Sequence, residues 1–259
     1  MSVIQVDLNS DMGEGYGAYK MGDDAAILDI VTSANVACGL HAGDPEIMAR
    51  TFSLAKTKNV MVGAHPGFPD LWGFGRRIIP YTPGEIERLV AYQIGAAQGL
   101  SAYADHPITY VKAHGALGNL TQTEEDIAIA IANAIQAVDK NLVCVTFAGA
   151  VMERVCKDKG IKTAAEVFAD RAYDEEGHLV HRKIPGAVLR DPVQAAERML
   201  RMIQGGGIET VSGKMLPVHI DTICVHSDTP GAITMASEVR RLLEANGVKV
   251  ASFASPQGL

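Results

Sequence analysis

The chain has 259 residues, 47% of them hydrophobic, and a formal net charge of −7, enough for the core of one α/β barrel of roughly 250 residues. The negative balance, with no block of like charge, disfavours nucleic acid and anionic lipid as partners. No apolar run approaches the roughly 18 residues of a membrane span, and the first residues lack the basic-then-apolar pattern of an export signal, so a cytoplasmic location is expected. Cys38, Cys144, Cys156 and Cys224 are isolated in sequence, without a C-x-x-C pair, and read as reduced, buried thiols. Cys38, three residues before His41, invites comparison with a Cys-His nucleophile, but packing is the better reading.

In chain order, strand-like apolar runs fall at 3–8, 33–38, 60–64, 108–112, 142–147, 164–168 and 221–226, separated mostly by segments long enough for a helix and two loops. Helix starts are signalled by Asp44-Pro45, Thr82-Pro83-Gly84-Glu85, Thr123 ahead of Glu124 to Asp126, Asp191-Pro192 and Asp228-Thr229-Pro230. Glu85 and Gln194 stand where a capping box needs them. The alternation predicts a seven-stranded parallel (β/α) barrel, related to the TIM barrel and spanning 1–259 as a single domain. Two stretches break the pattern. Residues 66–81, with three prolines, three glycines and the only tryptophan, read as a loop over the pocket mouth. Residues 171–183 read as a small hairpin turning at Glu176-Gly177, and 205–217 as a second, glycine-rich excursion.

Polar residues follow nearly every predicted strand, and the carboxyl ends of parallel strands open on one face. After the first come Asn9, Asp11 and Glu14, with Asp7 reading as structural. Crowded carboxylates demand a raised pKa, a cation or a metal. His41 follows the second strand between Gly39 and Gly43. Asp44 beside it serves equally as a helix cap or as a catalytic acid. His65 and His114 occupy the matching place after the third and fourth strands. Lys112, two residues before His114, shares its face of the strand and either neutralises the acidic cluster or holds an anionic substrate group. Asp170, Arg171, His226 and Asp228 complete the ring, Arg171 being suited to a bidentate grip on a carboxylate. Arg76 and Arg77 in the long loop are equally fit for substrate, solvent or an interface.

The segments SDMGE, SANVACGLHAGDP, GAHPGFPD with GFGRR, VKAHGALGN, FADRAYDEEGHLVHR and CVHSDTPGA together resemble the LamB/YcsF family over nearly the whole chain. The resemblance implies a seven-stranded barrel similar to the glycoside hydrolase and polysaccharide deacetylase superfamily. It also implies a cytoplasmic enzyme that opens 5-oxoproline to L-glutamate with ATP, and hence Mg²⁺, alongside two further subunits, B and C. The chain departs from the family's K-P-H-G-A-L-Y-N at Ala113 and Gly118, and has His226-Ser227-Asp228 where H-G-D is usual. Losing an aromatic ring at Gly118 is expected to enlarge the pocket or alter partner contact. The chain has no G-x-x-x-x-G-K-[ST] loop, so nucleotide handling is expected mainly in the partners. Lys112 or Arg171 then holds the substrate carboxylate, while Asp11, His41, His65 or His114 activates water or protonates the departing nitrogen. Two alternatives stay open: a stand-alone amidase or deacetylase with a catalytic metal on Asp11 and the strand-end histidines, and a ligand-binding regulatory subunit without turnover. Homo-oligomerisation is also left open.

Overall fold

The computed structural model of the chain describes residues 3–226 and 231–254. From the amino terminus, β1 (Gln5–Met12), α1 (Asp24–Leu28), β2 (Ser33–Ala37), α2 (Pro45–Thr57), β3 (Met61–His65), α3 (Pro83–Tyr103) and β4 (Tyr110–Lys112) alternate. Next come α4 (Gly115–Leu120), α5 (Glu125–Asp139), β5 (Val143–Phe147), α6 (Val151–Asp158), β6 (Thr163–Phe168) and α7 (Pro192–Gly205). An antiparallel pair, β7 (Gly207–Glu209) and β8 (Met215–Pro217), then precedes β9 (Thr222–Cys224), α8 (Ala232–Ala245) and β10 (Lys249–Val250). β1 to β6 and β9 are the seven barrel strands. All are parallel, and β9 pairs with both β6 and β1, so the barrel closes and each of the seven is flanked on both sides.

The helices start where capping chemistry allows. Asp44 accepts from the Glu46 and Ile47 N–H groups, Thr82 and Glu85 form a reciprocal capping box, and Asp191 accepts from Val193 and Gln194. No return bond from the Gln194 side chain occurs among the described residues. The expected Thr123 cap is displaced by one residue: Glu124 precedes α5 and makes no side-chain cap. The Asp228 start signal lies outside the described residues, and α8 is entered through Gly231.

β1 runs on to Met12, well past the expected end at residue 8. Asn9, Ser10 and Asp11 look like strand terminators, but neighbouring strands replace their water: Ser10 Oγ donates to the Val225 carbonyl at 2.6 Å, and Asn35 Nδ2 donates to both Asn9 Oδ1 and Asp11 Oδ1. The strand's period of two sends Asp7, Asn9 and Asp11 inward and Leu8 and Met12 outward under the helices. Gly63 makes room inside, because a Cβ there would run into the Tyr110 ring. That ring fills the lower barrel, gives its hydroxyl to Asn35 Oδ1 at 2.8 Å, and meets Phe253 after β10 at the amino end.

Candidate active site

At the carboxyl end of the barrel, Lys112 stands at the centre. Its Nζ lies 3.1 Å from Asp11 Oδ1, 2.7 Å from Glu166 Oε1, 3.2 Å from Asn9 Oδ1 and 3.1 Å from Cys224 Sγ. Burial pulls the ammonium down, but Asp11 and Glu166 outweigh it and hold Lys112 well above its ordinary value. Burial likewise pushes Asp11 up, yet His65 and Lys112 together keep it well below the usual carboxylate range. For Glu166 burial prevails over Lys112, and its pKa is raised. A charged, acceptor-rich floor results, in a place where most barrels pack aliphatic side chains.

Above this floor are two groups of imidazoles. The first holds His41, His65 and His114. His65 Nδ1 lies 2.7 Å from the Lys112 carbonyl and His114 Nε2 lies 2.8 Å from the Phe74 carbonyl. A carbonyl only accepts, so both of those nitrogens carry hydrogen. The remaining nitrogens, His65 Nε2 and His114 Nδ1, face each other at 3.0 Å, with Asp11 Oδ1 3.4 Å from the former and Glu14 Oε1 3.7 Å from the latter. His41 stacks on His114, centroids 3.8 Å apart, and neither of its ring nitrogens has a hydrogen-bond partner among the described residues. Burial, followed by the neighbouring imidazoles, holds His41 and His114 well below the ordinary histidine value.

The second group is a dyad. His226 Nδ1 lies 2.9 and 2.8 Å from the two Asp170 oxygens, which fixes the ring and leaves Nε2 facing the cavity, 3.3 Å from Arg182 Nη2. Burial raises the Asp170 carboxyl, but His226 overrides it and the pKa falls. Arg171 donates to the Val180 carbonyl at 2.6 Å, while its buried Nε has no hydrogen-bond partner among the described residues. Its pKa is drawn down to about 10 by burial first and Arg182 second, which leaves it charged at neutral pH. Arg171, Arg182, Arg76 and Lys183 rim a cavity of about 420 Å³ that reaches Asp11, His65, Lys112, His114 and His226.

Loops put these groups in place. Gly43, at φ +78, lets the β2 loop lie against the turn after β1, where its N–H reaches the Gly15 carbonyl at 2.7 Å; a Cβ would meet the Ala37 and Gly13 carbonyls. The 66–81 segment roofs the site and is pinned to the start of α4 below it. His114 N–H donates to the Pro66 carbonyl and Ala116 N–H to the Gly75 carbonyl. Phe74, in the left-handed region at φ +55, turns its carbonyl onto His114, local backbone strain of the kind that gathers at functional sites.

The structure thus brings Asn9, Asp11, Glu14, His41, His65, Lys112, His114, Asp170, Arg171 and His226 to one mouth. Asp44 is different. Its carboxylate accepts from three backbone N–H groups, those of Glu46, Ile47 and Gly17, and it borders a separate surface hollow with Asp23 and Arg50. Capping claims it. Asp228 lies outside the described residues. Arg77 is paired with Asp70, its Nε at 3.0 Å, whereas Arg76 faces the cavity. The Cys38 thiol is buried, donates to the Val36 carbonyl, and is pushed up to about 12 by burial, which makes it inert. Gly118 opens no extra space, because its Cβ direction is closed by the Ala113 carbonyl. Glu166, Asn35 and Arg182 escape the sequence reading: the first two are polar residues inside apolar runs, a signal that marks them as unusual without placing them, and Arg182 is one of the basic residues of HLVHRK.

An oriented His-carboxylate pair and a cationic rim stand around an acidic floor at the mouth of a parallel α/β barrel, an arrangement chemically able to move protons beside an anionic group. The chain belongs to the LamB/YcsF family, whose model matches residues 6–258. It is 58% identical over 250 residues to the A subunit of 5-oxoprolinase from Gluconobacter oxydans (strain 621H), covering 96% of this chain and 98% of that one. The crystal structure of the lactam utilization protein from Thermus thermophilus superposes with a TM-score of 0.91 at 43% identity, covering 96% of this chain and 100% of that one. A peptidoglycan N-acetylglucosamine deacetylase catalytic domain from Eubacterium rectale ATCC 33656 shares the fold, with a TM-score of 0.51 at 9% identity over 97% of this chain and 90% of that one.

Proposed function

We propose that this chain is the A subunit of a 5-oxoprolinase, and that its barrel mouth carries out the hydrolytic opening of 5-oxoproline to glutamate in an ATP-dependent, cytoplasmic complex with the B and C subunits. The observation that carries this reading is the Asp170-oriented His226 facing the same cavity as Arg171 and Arg182. Lactam hydrolysis has three needs: a base for the attacking water, an acid for the departing nitrogen, and a grip on the substrate carboxylate. His226 Nε2 takes the water proton, with Asp170 stabilising the imidazolium that forms. Arg171 and Arg182 hold the carboxylate. Lys112, charged in the floor of the same cavity, adds positive charge beneath the oxygen on which negative charge grows as the carbonyl is attacked. The proton gained by His226 then passes to the ring nitrogen as the C–N bond breaks.

ATP and its Mg²⁺ belong to the partners in this reading. The described residues at this mouth form no glycine-rich phosphate cradle at a helix start, and no step here runs through the nucleotide. His226→Ala should lower glutamate formation in the assembled complex by about 10²- to 10⁴-fold while the far-UV circular dichroism stays that of the wild type. Asp170→Asn should fall in the same direction and shift the pH profile, since the ring loses its orienting charge. Wild-type turnover in both variants would refute the assignment of the base.

A further inference from the structure

The acid–base reading leaves the first imidazole group unused, and its geometry is unusual. His65 Nδ1 and His114 Nε2 are each committed as donors to a main-chain carbonyl. The nitrogens left facing each other at 3.0 Å are therefore both lone-pair nitrogens in the neutral rings. Two lone pairs at that distance repel unless something positive lies between or beside them. Ligands about 2.0–2.1 Å from a first-row ion sit roughly 3 Å from one another, which is the separation observed. Carbonyl bonds to the far side of each ring are also how metal-binding histidines are usually held in tautomer and orientation.

We infer that His65 Nε2, His114 Nδ1 and the Glu14 carboxylate bind a divalent ion of the zinc class, with His41 available as a further ligand. One coordinating atom from each of the four residues lies within 4.8 Å of all the others, and all four side chains are buried. Two nitrogens and a carboxylate are a borderline-soft donor set, which suits Zn²⁺ or Co²⁺ better than Mg²⁺ or Ca²⁺. His41 has two buried nitrogens without partners among the described residues, a polar ring that gains from any cation it reaches. Its plane is parallel to that of His114, 8° apart, so an ion in the His114 plane lies outside the His41 plane, and His41 joins only by turning. The group also forms the wall between two cavities. Glu14 and His41 line one of about 390 Å³, beneath the exposed Trp72, and His65 and His114 line the catalytic cavity. An ion here is open to exchange from one side and to substrate from the other. When bound, it supplies Lewis-acid polarisation of a water or a carbonyl oxygen.

The inference deepens the proposed function, yet it is measured on the isolated chain without turnover. Failure to bind metal would leave the His226 reading intact, and an inactive complex built from metal-loaded chain would count against that reading alone. Chelator-stripped protein should take up one equivalent of Zn²⁺ or Co²⁺, read as metal content after gel filtration. His65→Ala and His114→Ala should each lose that equivalent, and Glu14→Gln should weaken it. His178→Ala, in the surface group of Asp174, Glu176 and His178, should keep it. Should either alanine variant fail to fold, Co²⁺ in the wild-type chain decides. Two paramagnetically shifted exchangeable N–H resonances are expected, one from His65 Nδ1 and one from His114 Nε2. Absence of those resonances, no stoichiometric uptake, or full retention of the ion by folded His65→Ala and His114→Ala would overturn the site.

Discussion

Lys112 is the residue on which the interior charge balance turns. It is buried against Asp11 and Glu166, and removing one partner of a buried ion pair leaves uncompensated charge, a loss of about 3–5 kcal/mol. Lys112→Met should therefore lower unfolding free energy by that order in urea titrations, and adding Glu166→Gln should recover part of it; an unchanged midpoint in the single variant would contradict the pairing. Asp7 makes a different statement. Its carboxyl is raised to about 6, by burial first, against hydroxyl bonds from Ser33, Thr222 and Thr32. The folded chain holds a proton that the unfolded chain, at 3.8, releases sooner. This contribution to stability is complete below pH 3.8 and is lost as pH rises through about 6. Between about pH 3 and 7 wild-type stability relative to Asp7→Asn should fall by about 3 kcal/mol. A pH-independent difference between the two would contradict it.

Among the elements, β3 and β4 depend on each other through Gly63 and Tyr110. Gly63→Ala should destabilise the barrel by about 3 kcal/mol through overpacking, and Tyr110→Leu should relieve it at the expense of the hydroxyl bond to Asn35; thermal unfolding of the single and double variants checks both. Much of the element pattern is legible in the chain because short apolar runs, continuous where a parallel strand is buried on both faces, and N-cap oxygens are local signals. The seven barrel strands and the Asp44, Thr82 and Asp191 caps follow from them. β1 is the exception. Asn9 and Asp11 belong to its interior because Asn35, Glu166 and Lys112 take the place of water, and those partners come from strands distant in sequence. The same non-local closure hides Glu166 as a site residue. Asp44 shows the reverse difficulty: a strong local cap signal and a chemically able side chain are the same residue, and only its three N–H partners reveal which role it fills.

For the whole molecule, parallel strand order does the gathering. Residues from 9 to 226 share one mouth because every barrel strand ends there, and the irregular segments 66–81 and 171–183 add, respectively, the roof with its Phe74 carbonyl and the rim of Arg171 and Arg182. The same arrangement leaves Trp72, 97% exposed, and Tyr19, 82% exposed, beside the cavity that reaches His41 and Glu14. Direct proof lies in glutamate release from 5-oxoproline and ATP by this chain mixed with the B and C subunits, with each component omitted in turn and with His65→Ala/His226→Ala in place of the wild-type chain. Release only when all three are present, abolished by the double substitution in a folded chain, is the expected result. Undiminished release without this chain, or with both imidazoles removed, would contradict it.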